Sequence, residues 1–251
     1  MHVGLVVHIP HSSTDIPELF LEDVFLSIEE LAYEIIRSTD AYCDDLFDVG
    51  YGEKVAARYS RLACDVERFR DDEDEQMAGI GNGLLYTHTQ LGIPLRPQDA
   101  ALRKKALDDI YDPHHLALNT AVGRALIKND LCLLIDAHSF CDEPFVGEDL
   151  PDICIGTDEF HTPCYLSDAA VEFFSKQCGL RTALNYPYSG TIVPGEYYGN
   201  DKRVLSIMVE VNKRLYLKPG STEKTEGYSK VKRACAHVVE HLLRTIELKG
   251  L

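Results

Sequence analysis

Two hydrophobic patterns share the chain: short unbroken apolar runs, and longer stretches in which apolar residues recur three and four positions apart. The runs Gly4-Leu5-Val6-Val7-His8-Ile9, Leu131-Cys132-Leu133-Leu134-Ile135 and Val204-Leu205-Ser206-Ile207-Met208-Val209 are β-rich and bounded by turn formers or polar residues. They predict strands buried on both faces, the signature of a largely parallel sheet. A shorter strand is expected at 152–156, and extended segments at 54–57, at 62–66 and, after the glycine-rich stretch 79–83, at 84–86. Helical spacing covers 27–47, where Ile28, Leu31, Ala32, Ile35 and Ile36 share one side and Glu29, Glu30 and Glu34 take the other. Asp40 and Asp44, four apart, would share a face of that helix. The longest helical stretch is 97–128, which Pro113 should kink or divide. Further helices are expected at 167–178, stopped by Gly179, and at 228–247. Strands interleaved with helices, with no internal repeat and no Pro/Gly/Ser linker, predict one α/β domain over residues 1–251.

Composition removes several function classes. A formal charge of -16 argues against nucleic acid or an anionic membrane as the main partner, since both are polyanions. The acidic run 70–75 carries part of that charge and reads as a solvated loop. The eight cysteines are scattered and form no C-x-x-C pair, which favours reduced core thiols over a disulfide framework or a zinc knuckle. No basic segment followed by an apolar helix opens the chain, and no stretch reaches about 20 apolar residues. The expected location is the cytoplasm.

Candidate chemistry collects where the apolar runs end. The first run stops at Pro10 and exposes His11, the second breaks into Asp136-Ala137-His138-Ser139, and the third carries Glu210 near its end. In open α/β sheets the carboxyl ends of strands are where ligands sit. Asp136 and His138 lie on one side of an extended chain, so the carboxylate can orient the imidazole or share a ligand with it. Taken alone, a D-x-H is equally a strand end with a solvated histidine, and Asp40 and Asp44 are equally a solvated helix face. His8, inside its strand, reads as a core or supporting group. His115 could face the site, with His114 exposed. Glu210 is costly in an apolar strand unless it is paired, metal-bound or functional. Within 65–68, alternation sets Asp65 and Glu67 on one side and Val66 and Arg68 on the other. Arg68 could hold a carboxylate bidentately, or form an ion pair with the acids around it. Residues 184–191 are turn-rich and aromatic, a substrate-facing loop. Residues 79–83 do not form a phosphate loop, and no G-x-S-x-G elbow is present. Histidines and carboxylates from separate strand ends, with a spare glutamate, favour a metal hydrolase: zinc takes three such ligands and keeps one position for water.

The ordered set Ile9-Pro10-His11-Ser12, Ser60-Arg61 with Asp65-Val66-Glu67-Arg68, His115-Leu116-Ala117-Leu118, Asp136-Ala137-His138-Ser139, Tyr186-Pro187-Tyr188-Ser189-Gly190 and Glu210-Val211-Asn212 resembles the N-formylglutamate amidohydrolase family, from the first strand to about Tyr216. The resemblance implies a fold like the zinc carboxypeptidases and aspartoacylases, with a mixed sheet between helical layers. It implies one zinc ion and hydrolysis of the amide of a small acidic N-acyl amino acid. Residue by residue, it implies metal binding by His11 and His138 and a general-base role for Glu210. For the third ligand Asp40 is the choice, with Asp65 and Asp15 as rivals. It implies that Arg68 holds the substrate carboxylate, with Arg61, Tyr188 and Ser139 beside it and Asp136 and His115 in support. Glu67 departs from the family's usual Asn-Arg pair, and a carboxylate there would repel an acidic substrate or neutralise the arginine. Two other readings are a carboxypeptidase-like peptidase acting on a short or cell-wall-derived peptide and a non-catalytic protein that binds a metal or small molecule.

Overall fold

The three long apolar runs form the centre of one six-stranded sheet, β1 (Val3–Ile9), β3 (Leu131–Phe140) and β6 (Val204–Asn212). With β2 (Glu53–Ala56), β4 (Ile153–Gly156) and β5 (Thr182–Leu184) the strand order is β2-β1-β3-β6-β4-β5. Strands β2, β1, β3 and β6 run parallel, β4 runs antiparallel to β6, and β5 follows β4 in parallel. The result is a single-domain α/β fold with a mostly parallel mixed sheet. The computed structural model describes residues 2–145 and 147–250.

Period-2 alternation assigns the two faces. Leu5, Val7, Ile9, Leu133, Ile135 and Ala137 pack with the inner side of α6 (Tyr228–Lys249) in the larger core. The opposite face, with Val6, Cys132 and Leu134, packs against Leu118, Ala121 and Val122 of α4 (Asp112–Lys128). His8, Asp136 and His138 alternate onto this α4 side. Register aligns them, because His8 pairs with Asp136 and His138 with Glu210.

Several expected elements take another form. The stretch 27–47 is two helices, α1 (Ile28–Ser38) and α2 (Cys43–Leu46). Thr39 turns extended, Tyr42 is left-handed at φ 68°, and the amide of Asp40 donates to the His11 carbonyl at 2.8 Å. Asp40 and Asp44 therefore share no helix face. The inward side of α1 carries Glu34, Arg37 and Ser38, with Glu34 and Arg37 paired, while Ile28 is 84 % exposed. Segments 62–66 and 84–86 are buried loops, not strands; they cross-link through the amide of Asp65 donating to the Leu84 carbonyl at 2.8 Å. The stretch 97–128 divides as Pro113 requires: α3 (Ala100–Ala106), a π-helical turn over Leu107–Tyr111, then α4 with the proline in its first turn. Helix α5 (Cys164–Glu172) starts three residues before the expected 167 and ends in a second π turn. All eight cysteines are free thiols, and among the described residues no helix is long and apolar enough to cross a membrane.

Candidate active site

The carboxyl ends of β1, β3 and β6 deliver His11, His138 and Glu210 to one cleft of about 850 Å³, whose walls include Arg61, Arg68 and Tyr188. Each histidine is held from behind. His11 sets Nε2 2.8 Å from Asp65 Oδ1, and His138 sets Nε2 3.1 Å from Asp136 Oδ1. A carboxylate on Nε2 can hold the proton there, which frees Nδ1, the nitrogen turned toward the cleft, to act as a donor atom. Both Nδ1 atoms face Asp40 Oδ2, at 3.6 Å from His11 and 3.2 Å from His138. Nδ1 of His11 is buried with no hydrogen-bond partner.

The supporting carboxylates are themselves anchored. Asp65 accepts from Arg61 Nη2 at 2.8 Å and from the Tyr86 hydroxyl at 2.7 Å. Burial opposes its charge, but Arg61, His11 and Arg68 hold its carboxyl well below the usual carboxylate range. Asp136 sits 2.8 Å from His8 Nδ1 and accepts the Ile192 amide at 3.0 Å. His8 in turn sets Nε2 2.9 Å from Nε2 of His114. His8 is thus a supporting group, as its place in the strand suggests, whereas His114 is buried rather than exposed.

Glu67 is the carboxylate the sequence pattern does not place at the histidines. Its Oε1 lies 3.0 Å from His138 Nε2 and its Oε2 3.7 Å from His11 Nδ1. Donor atoms of His11, Glu67 and His138 all lie within 4.8 Å of one another, as do those of His8, Glu67 and Asp136. The one signal in the sequence is the alternation that puts Asp65 and Glu67 on one side of the chain. Among the described residues no ion pair joins Glu67 to Arg68, so the neutralisation expected from their adjacency does not occur. Arg68 instead pairs with Asp65, its Nε 3.5 Å from Oδ2, the ion pair with a neighbouring acid that the sequence also allows, and donates Nε to the Asn82 carbonyl at 3.0 Å and Nη2 to Tyr86 at 3.3 Å.

The remaining expected site residues divide. Arg61, Arg68 and Tyr188 stand on the cleft wall. His115 is also on that wall, but its Nε2 lies 2.8 Å from the Val66 carbonyl and it supports neither cleft histidine, His114 standing behind His8 instead. Ser139 is removed from the cleft by strand alternation: it points to the face opposite His138 and is buried. Asp15 is exposed and does not line the cleft, and Asp65 is on Nε2 of His11, which leaves Asp40 as the carboxylate that faces Nδ1 of both histidines and Glu67 as one that faces Nδ1 of His11 and Nε2 of His138.

A metal fits these residues. An orphaned imidazole nitrogen faces two carboxylate oxygens, and ligands bound at about 2.0–2.2 Å to a tetrahedral ion stand at comparable mutual separations. The charge balance agrees. Asp40, Asp65, Glu67, Asp136 and Glu210 crowd the two histidines, opposed by Arg61, Arg68 and a Lys213 ammonium 3.9 Å from Asp40. Burial disfavours a charged His138, yet Glu67 and Asp136 outweigh it and hold its pKa well above the ordinary imidazole value. Cationic character is thus favoured at this point. Glu210 is the exception among the acids. Its Oε2 is buried without a partner, and burial, with Asp40 and Glu67 nearby, raises its pKa to about 8.

Fold and site together define a single-domain α/β protein with a His–carboxylate donor cluster at the carboxyl edge of its sheet and one spare buried glutamate across from it. The chain belongs to the N-formylglutamate amidohydrolase family, whose model matches residues 3–217. It is 25 % identical over 236 residues to an N-formylglutamate deformylase of Pseudomonas putida, covering 90 % of this chain and 84 % of that one. A crystal structure of an N-formylglutamate amidohydrolase from Ralstonia eutropha superposes with a TM-score of 0.82 at 23 % identity, over 100 % of this chain and 96 % of the other. A protein of Agrobacterium tumefaciens gives 0.69 at 19 % identity, over 99 % and 92 % of the two chains.

Proposed function

We propose that the protein is a metal-dependent amidohydrolase that cleaves the amide of an N-formyl-type N-acyl amino acid with an acidic side chain. The observation that carries this reading is the pairing of His138 with Glu210 across β3 and β6, beside an inward-facing, unpartnered His11 nitrogen. His11, His138 and Asp40 would hold a zinc ion, which supplies Lewis-acid polarisation of the acyl carbonyl and a lowered water pKa.

The protein's own groups do the rest. Glu210, raised in pKa by burial and free of partners, takes the proton of the attacking water and returns it to the departing amine. Arg68 has Nε and Nη2 occupied and lines the cleft, where Nη1 is left to bind the substrate carboxylate. Arg61 keeps Asp65 ionised and thereby the tautomer of His11. Tyr188 forms part of the cleft wall.

The test is a panel of N-formylglutamate, N-acetylglutamate and dipeptides, assayed with the protein stripped by chelator and reloaded with zinc. Hydrolysis should require the metal and favour the N-formyl amino acid. Glu210→Gln should lose about 10²–10⁴-fold in kcat while binding zinc as the parent does. Full activity in that variant, or in the stripped protein, defeats the reading.

A further inference from the structure

We infer that Glu67 is a fourth protein donor to the metal, holding through Oε2 the position that faces the cleft. The inference rests on the metal reading above and concerns a residue that reading does not need. Seen from His11 Nδ1, two carboxylate oxygens stand at nearly equal range, Asp40 Oδ2 at 3.6 Å and Glu67 Oε2 at 3.7 Å. Nothing else satisfies that nitrogen. The two oxygens of Glu67 have different partners: Oε1 is tethered at 3.0 Å to His138 Nε2, so Oε2 is presented toward His11. The backbone fixes the aim, because the Glu67 amide donates to Asp65 Oδ1 at 3.1 Å, the same oxygen that anchors His11.

Accessibility distinguishes Glu67 from the other donors. Its side chain is 18 % exposed, against 1 % for His11, 4 % for His138 and 5 % for Asp40. All four donors line the cleft, and Glu67 is the one most open to it. A catalytic zinc site keeps one position for water or substrate, and Glu67 is the donor that the attacking water or a bound carbonyl would displace. An amide at this position would bring a weaker, uncharged oxygen, so the carboxylate should tighten the metal and make substrate compete for it.

Zinc affinity of the full-length protein is measured by competition with a chromophoric chelator, and the visible absorption of the cobalt(II)-substituted protein reports its coordination. Glu67→Gln and Glu67→Asn should each weaken zinc by about 10-fold or more, the least that loss of even a supporting partner costs. The cobalt spectrum should change shape in both. Urea unfolding in excess chelator should leave both variants as stable as the parent, which separates metal loss from misfolding. Parent-like affinity with an unchanged spectrum in the variants overturns the inference while the metal reading stands. A parent protein that takes up no zinc overturns both.

Discussion

Oε2 of Glu210 is buried with no hydrogen-bond partner, a position that natural interiors seldom tolerate. Its cost makes sense where a proton must be picked up and released. The same residue shows why a single sequence can point to a candidate base: a glutamate inside an otherwise apolar strand pays a desolvation penalty that only its charge or its proton can justify. Arg68 is legible in the same way, as a cation beside acids, but its partners are not. Adjacency suggests neutralisation by Glu67, whereas the guanidinium pairs with Asp65 and is held by Tyr86 and the Asn82 carbonyl, the last two 14 to 18 residues away and brought near by a loop crossing. If Arg68 binds the substrate carboxylate in ground and transition states alike, Arg68→Ala should raise KM about 10- to 100-fold with kcat nearly unchanged. Steady-state kinetics on the preferred N-acyl amino acid decides it. Arg68→Lys should recover only part, because an ammonium cannot keep the fork that holds Tyr86 and Asn82.

At the scale of elements, the three strands that carry the site are readable because an unbroken apolar run has one economical destination. Helix α1 departs from its pattern for an equally physical reason. Its period marks an amphipathic helix, but Glu34 and Arg37 satisfy each other and go inside, leaving Ile28 in water. The end of that helix at Ser38 is decided by a hydrogen bond to the His11 carbonyl, a contact between distant segments that no local pattern contains. The seam between α4 and β1 supplies a prediction of its own. His114 is buried against His8, and desolvation lowers its pKa to about 2. Below the unfolded imidazole value of about 6.5 the unfolded chain takes up a proton that the folded protein refuses. Stability therefore falls as pH drops, by up to about 1.4 kcal/mol per pH unit from this group. Urea unfolding of the metal-free protein between pH 7 and pH 5 should show a shallower loss in His114→Leu than in the parent; equal slopes would place His114 in contact with water.

For the whole molecule, the mostly parallel sheet with helices on both faces follows from composition and order, and the family match extends over almost all of it. What pattern alone does not supply is the crowding of five carboxylates against two histidines, since Asp40, Asp65 and Glu67 come from segments without strand character. That crowding makes the folded state a better cation binder than the unfolded chain. Zinc at about 100 times its Kd should then add about 2.7 kcal/mol of stability. Chelator treatment should lower Tm by roughly 5–10 °C for a chain of this size. Calorimetry with and without zinc checks this, and an unchanged Tm would mean that the donors hold no ion in the native state.

The register of the central strands sets a schedule for assembly. His8 meets Asp136 across 128 residues of chain, and His138 meets Glu210 only when β6 has joined β3. Such distant pairings close late in folding. A half-folded chain therefore owns scattered histidines and acids but no assembled donor cluster, so a metal would be captured by the finished sheet and would not template it.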